Sequence, residues 1–246
     1  GLGEVIKYAL VFDRAFALFF AERLKSIQCL APLPDPVLKE LVEKPGSELV
    51  LARQYLLRGK WKDAETWALK VLEEPSGEAR ALLGISLLEQ KRFAEAEGPL
   101  KEAALKRPGH YLAHQGLGAV LQKKGEYEAA IACFRKARAL YPHAVRSFRG
   151  EADSCFTLGK VEEGIAAMRS LCAVDGLNTA ARLDLARALR DSNRPQEALA
   201  VLDEGLYADV YTLDLHKLRA EVLFSLGRKD EAERALKMGE LAGRPR

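Results

Sequence analysis

The chain repeats itself. GKWKDAETWALKVL from Gly59, KRFAEAEGPLKEAA from Lys91 and GEYEAAIACFRKAR from Gly125 align without gaps. GKVEEGIAAMRSLC from Gly159, NRPQEALAVLDEGL from Asn193 and GRKDEAERALKMGE from Gly227 continue the series. The first interval is 32 residues and the others are 34. A fixed period of that length marks one supersecondary unit stacked on copies of itself, because a single unit of this size cannot bury its own apolar face.

Each copy reads as a helix pair, and two helices approach closely only where side chains are small. Counting the copies from residues 45, 77, 111, 145, 179 and 213, the eighth position holds Ala52, Gly84, Gly118, Ala152, Ala186 and Ala220. The twentieth holds Ala64, Ala96, Ala130, Gly164, Ala198 and Ala232. All twelve sites are Ala or Gly. Between the helices stands Gly59, Gly125, Gly159, Asn193 or Gly227, with Lys91 the exception. Gly and Asn tolerate the left-handed backbone that ends a helix. Two residues later a bulky group plugs the hairpin at Trp61, Phe93, Tyr127 and Val161. Proline closes the second helix at Pro108 and Pro142, and slightly early at Pro75.

This pattern resembles the tetratricopeptide repeat (TPR), with W-x2-L-G-x2-Y, then A-x3-F, then P, at a period of 34. The resemblance covers about residues 45–244. Its clearest copy runs from Tyr111 to Ala144, with Leu117, Gly118, Gly125, Tyr127, Ala130, Phe134, Ala137 and Pro142 on the pattern. It implies an all-α fold, a right-handed solenoid of about six helix–turn–helix repeats. The match weakens toward the C-terminus. Glu151 and Arg219 replace the leucine of the first helix, and Pro195 and Lys229 replace the plug. A narrower resemblance links EARALLGISLLEQKRFAEAEGPL (Glu78–Leu100) and YPHAVRSFRGEADSCFTLGKVEEG (Tyr141–Gly164) to the TPR arrays of some bacterial response regulators. That leaves the output region of such a regulator as one functional alternative.

Residues 1–44 do not fit the repeat and are expected to form an N-terminal helical extension ahead of a TPR domain at 45–246. Leu2, Val5, Ile6, Ala9, Leu10, Phe12, Phe16, Phe19, Phe20 and Leu24 give a wide apolar surface on a helix to about Ile27. Phe12, Phe16, Phe19 and Phe20 are its interaction candidates, either as a cap on the first repeat, as an occupant of a groove, or as a contact with another chain. Pro36 suits the first turn of a short helix reaching about Glu43. The chain starts at Gly1 rather than methionine, so an upstream segment is expected.

Composition narrows the function. With 38 basic against 35 acidic residues and a net charge of +3, the chain lacks the basic excess of a nucleic-acid binder. The most apolar run, Ala15–Ala21, is too short to span a membrane. The four cysteines, Cys29, Cys133, Cys155 and Cys172, form no CxxC pair and read as reduced thiols, which favours a cytoplasmic setting.

Catalytic chemistry finds no anchor. Gly116-Leu117-Gly118 lies within a helix and serves helix crossing rather than phosphate binding. His110 and His114 are four apart, as in a zinc helix, but the string is HYLAH and lacks the intervening Glu. His114 and His216 share the fourth repeat position, which packs between helices. No catalytic residue, metal site or cofactor is therefore expected.

The resemblance implies instead a concave groove made by the first helix of each repeat. Carried over by position, its partner-binding residues are Leu49, Arg53, Leu56, Leu82, Ile85, Gln115, Gln122, Arg146, Arg149, Asp153, Arg187 and Arg190. One end is apolar and the other arginine-rich but mixed in charge. The Lys-then-Asn carboxylate clamp of chaperone-binding relatives is missing, since positions 5 and 9 read Leu49/Arg53, Ala81/Ile85 and Gln115/Ala119. At the charged end two readings stand: Arg149, Arg187 and Arg190 hold an acidic partner, or they neutralise Asp153, Asp184 and Asp191 of the same chain. The expected function is a non-enzymatic adaptor that binds a protein partner's peptide or helix. Self-association through the N-terminal helix or the uncapped end is the alternative.

Overall fold

The computed structural model describes residues 32–73 and 75–242. Thirteen α-helices and no strand occur among the described residues. The chain divides into two compact units, residues 1–123 and 124–246. The first contains α1 (Asp35–Val42), α2 (Glu48–Leu57), α3 (Trp61–Leu69), α4 (Glu78–Glu89) and α5 (Phe93–Lys106), and ends within α6 (Tyr111–Lys124). The second contains α7 (Tyr127–Leu140), α8 (Val145–Thr157), α9 (Val161–Val174), α10 (Thr179–Asp191), α11 (Pro195–Ala208), α12 (Leu213–Ser225) and α13 (Lys229–Ala242). The even-numbered helices from α2 onward are the first, or A, helices of the repeats, and the odd-numbered ones from α3 onward are the second, or B, helices. Phe12, Phe16, Phe19, Phe20 and Cys29 lie outside the described residues.

The small-residue rule holds throughout. All twelve Ala and Gly sites at positions 8 and 20 are buried. At Gly84 a Cβ would lie 2.4 Å from Leu100 Cγ, and at Gly164 it would lie 2.5 Å from Phe156 Cε1. Such distances admit no side chain, so hydrogen at Cα sets how closely the helices pack. The two residues missing from the first repeat are felt in its B helix: α3 has 9 residues where α5 has 14.

The A helices end in left-handed turns. Gly59, Gly125, Gly159 and Gly227 have φ between 70° and 82°, and Asn193 has φ 58°. In five repeats the next residue closes the Schellman bond back to the helix: Lys60, Arg92, Lys160, Arg194 and Arg228 donate to Tyr55, Leu87, Cys155, Leu189 and Leu223 at 2.9–3.0 Å. Lys91 occupies the same turn at φ 63°. A side chain with Cβ costs about 1–2 kcal/mol there, while glycine's extra unfolded-state freedom gives back only part of that. Lys91→Gly is therefore expected to stabilise the protein by about 0.5–1 kcal/mol, read as a raised urea midpoint. Lys91→Ala, which keeps the Cβ, should bring no comparable gain.

Helix α1 begins where Pro36 fixes φ in the first turn. Its inner face, with Leu33 ahead of it, supplies Val37, Leu38 and Leu41 to a core completed by Val50, Leu51, Tyr55 and Trp67. Burial of each aliphatic side chain contributes about 1.5–3 kcal/mol. Polar contacts fix the approach: the Leu33 N–H donates to Gln54 Oε1 at 2.6 Å, and Arg58 bonds the Leu33 carbonyl and pairs with Asp35. The short helix thus belongs to the packed body of the first unit.

The two leucines that the C-terminal copies lack are replaced by charge pairs of opposite polarity. Glu151, at position 7 of the fourth repeat, is buried and accepts from Arg135 Nε of the preceding B helix at 2.6 Å. Arg138 lies 2.7 Å from its other oxygen. Arg219, at position 7 of the sixth repeat, donates to Asp203 of the preceding B helix at 2.7 Å. Both pairs are 16 residues apart. What reads in sequence as decay is a polar inter-repeat contact in the leucine's place.

Candidate functional site

Residues four apart on an α-helix share a face, so Arg149 and Asp153 on α8, Arg187 and Asp191 on α10, and Lys217 and Glu221 on α12 form parallel rows on the A-helix face of the second unit. Ion pairs link the rows. Arg149 Nη1 meets Asp184 Oδ2 at 2.6 Å, and Arg187 meets the other oxygen at 3.4 Å. Arg190 bridges Asp191 at 2.9 Å and Glu221 of α12 at 2.8 Å. These contacts have the geometry of neutralisation within the chain. The side chains remain partly exposed, so each pair contributes only about 0.2–1 kcal/mol.

Between α8 and α10 a cleft of about 450 Å³ opens, lined by Asp153, Phe156, Val161, Asp184, Arg187, Ala188, Asp191 and Ser192. Phe156 and Ala188 supply apolar surface, and three carboxylates and one guanidinium surround it. Asp153, Arg187 and Arg146 are exposed, and Arg149 and Arg190 are half-buried. The cleft brings together Asp153 and Arg187 from the expected set, with Phe156 of α8 lining it beside them.

The A-helix face of the first unit differs. Leu49, Arg53, Leu56, Gln115 and Gln122 are half-buried, and Arg53 pairs with Glu78. Leu82 and Ile85 correct the expected groove: they are 1% and 8% exposed and belong to the core with Ala68, Leu100 and Val120. Ile85 packs over Gly116, where a Cβ would lie 3.5 Å from its Cγ1. Leu100 fills most of the space that Gly116 leaves, with its Cδ2 2.8 Å from where a Cβ would sit, and Ile85 borders it. Position in the repeat assigns a face to the backbone, but packing against neighbouring helices decides whether a side chain there reaches solvent.

A recurring polar contact went unread in the sequence except at two histidines. At the fourth repeat position, His114 Nε2 donates to the Pro108 carbonyl at 2.8 Å and His216 Nε2 to the Val210 carbonyl at 2.9 Å. Arg182 reaches the Gly176 carbonyl and Arg80 the Leu72 carbonyl in the same way. Each ties the start of an A helix to the loop before it. Phe148, at this position in the fourth repeat, carries the Arg138 guanidinium 4.4 Å above its ring instead. The His110 Nδ1 accepts from the Ala113 N–H at 3.3 Å, and burial holds its imidazole below the usual range, favouring the neutral ring. Among the described residues no three His, Cys, Asp or Glu side chains come together as a metal site. Cys133, Cys155 and Cys172 are free thiols, pushed upward in pKa by burial.

Arginine–glutamate clasps mark the starts of three B helices: Arg92–Glu95, Arg194–Glu197 and Arg228–Glu231, each at 2.6 Å. Hydrogen bonds from the arginines hold these carboxyls below the ordinary glutamate range, as Arg135 does for Glu163. A carboxyl lowered in the folded state contributes stability above its unfolded pKa of about 4.3, and that contribution is lost as pH falls through the folded value. The unfolding midpoint should therefore fall below about pH 4.3. An Arg92→Gln/Arg194→Gln/Arg228→Gln variant should show a shallower fall in the same titration.

Residues 111–144 match the tetratricopeptide-repeat family, and a second profile of the same repeat matches residues 49–111 and 183–243. The matches cover more than half of the chain. The chain belongs to the tetratricopeptide-repeat family. Such TPR proteins serve in general as scaffolds and adaptors for other proteins, without catalysis of their own. Among solved structures, PilF of Pseudomonas aeruginosa is similar at a TM-score of 0.65 and 19% identity, covering 83% of this chain and 93% of that one. A structure of MamA is similar at 0.57 and 15% identity, covering 65% and 94%. The APC/C hetero-tetramer Cut9–Hcn1 is similar at 0.59 and 17%, covering 84% and 42%. At these identities the likeness is one of TPR fold. A comparison with curated proteins finds no match. No helix among the described residues is long and apolar enough to cross a membrane.

Proposed function

We propose that this TPR protein is a non-enzymatic cytoplasmic adaptor that holds a peptide or helix of a partner protein on the concave, A-helix side of its repeats. The observation that carries the reading is the cleft between α8 and α10, with Phe156 as an apolar contact amid Asp153, Asp184, Asp191 and Arg187. An apolar floor within a rim of fixed charges suits a segment that buries one side chain and aligns polar groups around it. The internal ion pairs hold the rim charges in place before a partner arrives, which reduces the ordering cost of binding.

The test uses a panel of synthetic peptides: extended acidic, extended basic and amphipathic helical. At least one class should bind, with affinity falling as salt rises, because exposed charges are screened over about 8–10 Å. Phe156→Ala combined with Asp153→Lys should weaken that peptide by about tenfold or more, or about 1.4 kcal/mol. Failure of all three classes to bind, or binding indifferent to the double substitution, overturns the reading.

A second reading, self-assembly, draws on α13. Leu236, Met238 and Leu241 of this last described helix are 39%, 48% and 57% exposed. Exposed apolar side chains of that kind suit contact with another chain. Growth of scattering mass with concentration, abolished by Met238→Lys/Leu241→Lys, is the expected sign. A constant monomer mass sinks it.

A further inference from the structure

We infer that the loop edge of the second unit, where Leu177, Tyr207, Val210 and Tyr211 stand, docks a basic amphipathic segment of a partner protein. These side chains are 79%, 96%, 44% and 60% exposed. Leu177, Tyr207 and Tyr211 are the three most exposed large apolar side chains among the described residues of that unit. Scattered singly they would need no explanation, but they fall on two successive B-to-A connections. Leu177 and Tyr211 both hold position 33 of their repeats, and α10 packs beside α12. Packed helices lie about 8–10 Å apart, so the two side chains are close enough to meet one ligand. In the two earlier copies position 33 is Gly109 and His143.

The two loops hold these side chains outward. Position 32 is Pro108 and Pro142 in the earlier copies but Gly176 and Val210 here. An aspartate at position 31 fixes each loop instead. Asp175 accepts from the Asn178 side chain at 3.0 Å. Asp209 accepts from the Tyr211 N–H at 3.0 Å and from the Thr212 hydroxyl at 2.7 Å. Asn178 also caps α10, accepting from the Ala181 N–H at 2.9 Å. A loop fixed before a partner arrives presents its side chains at a lower ordering cost. Tyrosine then offers a large contact area with few torsions left to freeze.

Charge around the edge selects the partner. From Pro195 to His216 the chain carries five carboxylates and no lysine or arginine. Two are neutralised within the chain, Glu197 by Arg194 and Arg169, and Asp203 by Arg219. Glu204 and Asp214 are exposed, and neither is ion-paired among the described residues. Hydrogen bonds hold the Asp209 carboxyl below the usual aspartate range, so it stays ionised. Asp175 and Glu204 share one neighbourhood, since both raise the Cys172 thiol that burial already pushes up. The Arg182 guanidinium beneath the α9–α10 loop is spent on the Gly176 carbonyl. An apolar edge among such carboxylates suits lysine and arginine, whose stems lie over tyrosine and leucine while their heads meet the carboxylates. The same carboxylates repel phosphate, so neither a nucleic acid nor an anionic membrane fits. The edge is also separate from the cleft. Leu177 precedes α10 and Asp191 ends it, and that helix of 13 residues is about 20 Å long. The inference therefore stands whether or not the cleft is occupied.

The experiment titrates the full chain into labelled peptides, read by fluorescence anisotropy. One sets leucine and lysine in amphipathic helical order, a second replaces its lysines by glutamate, and a third replaces its leucines by serine. The leucine–lysine peptide is expected to bind, and the other two to bind about tenfold more weakly or not at all. Leu177→Ser/Tyr207→Ser/Tyr211→Ser should weaken leucine–lysine binding about tenfold or more while helical circular dichroism is retained. If that variant loses helix, Glu204→Lys/Asp214→Lys, which keeps the apolar side chains, is expected to show the same loss. Phe156→Ala/Asp153→Lys should leave this binding unchanged, and a loss there seats the peptide in the cleft and overturns the inference. Equal binding of the glutamate or serine peptide, no binding at all, or indifference to the edge variants also overturns it. Binding to phosphatidylglycerol vesicles that the triple variant abolishes would assign the edge to a membrane. Growth of scattering mass with concentration that it abolishes would assign the edge to a second copy. Either result refutes the basic partner.

Discussion

Replacing Arg135 and Arg138 together by methionine should destabilise the protein by about 3–5 kcal/mol, and adding Glu151→Leu should restore most of that loss. The Glu151 side chain is 4% exposed, with an arginine on each carboxylate oxygen at 2.6 and 2.7 Å. Removing both arginines leaves a buried carboxylate with no compensating charge, and its desolvation cost then falls wholly on the folded state. Removing Glu151 alone is milder, since Arg135 is half-exposed and can turn to water or to Glu163. The triple variant restores at position 7 the leucine that the repeat otherwise carries there, against a methionine-covered helix. An apolar replacement of this kind is often neutral or stabilising by about 1–4 kcal/mol. The measurement is urea unfolding of the wild type, the Arg135→Met/Arg138→Met variant and the triple variant. If the double variant unfolds at the wild-type midpoint, Glu151 is not confined as the geometry indicates. If the triple variant is no better than the double, the arginines act through packing on Phe148 rather than through the carboxylate.

That cluster also marks the limit of what the sequence disclosed. The twelve small sites, the left-handed turns and the Pro36 start of α1 were legible because each is a backbone requirement that few residue types meet. Lys91 was legible as an exception, and the structure shows that the turn holds its shape at the cost of strain in that residue. The pairing of Glu151 with Arg135, and of Arg219 with Asp203, was not legible. A charged residue in a leucine's place looks like loss, because long flexible side chains can choose among several partners and spacing alone does not name one. The face of the candidate groove was partly legible for the same kind of reason. Charged side chains in the ninth-position row of the second unit, Asp153, Arg187 and Glu221, reach solvent. Among the aliphatic ones of the first unit, Leu82 and Ile85 are buried while Leu49 and Leu56 are half-buried, a difference set by packing on neighbouring helices that spacing along the repeat does not show.

Two glycine substitutions of identical chemistry should change stability by very different amounts. Within a helix, Gly→Ala removes unfolded-state freedom and is worth about 0.8–1 kcal/mol in favour of folding where there is room. Gly98 lies inside α5, is exposed, and has nothing within 4 Å of an added Cβ. Pro99 follows it, however, and the proline Cδ crowds a Cβ on a helical residue before it, so Gly98→Ala is expected to leave the midpoint close to that of the wild type. Gly150 lies inside α8, but there a Cβ would sit 2.4 Å from Cζ of Phe134, and 2.6 and 2.8 Å from the two Cε atoms. Phe134 is 2% exposed, so its ring has no free space into which to swing. Forcing extra carbon into such a contact costs about 1–3 kcal/mol and occasionally more. The clash outweighs the propensity gain, and Gly150→Ala should lower the midpoint. Combining it with Phe134→Leu, which withdraws the ring, should make the alanine less harmful than it is beside phenylalanine. Additive losses in the double variant would locate the strain elsewhere. A rise in Tm for Gly150→Ala alone would show that α7 and α8 are not held at the separation described.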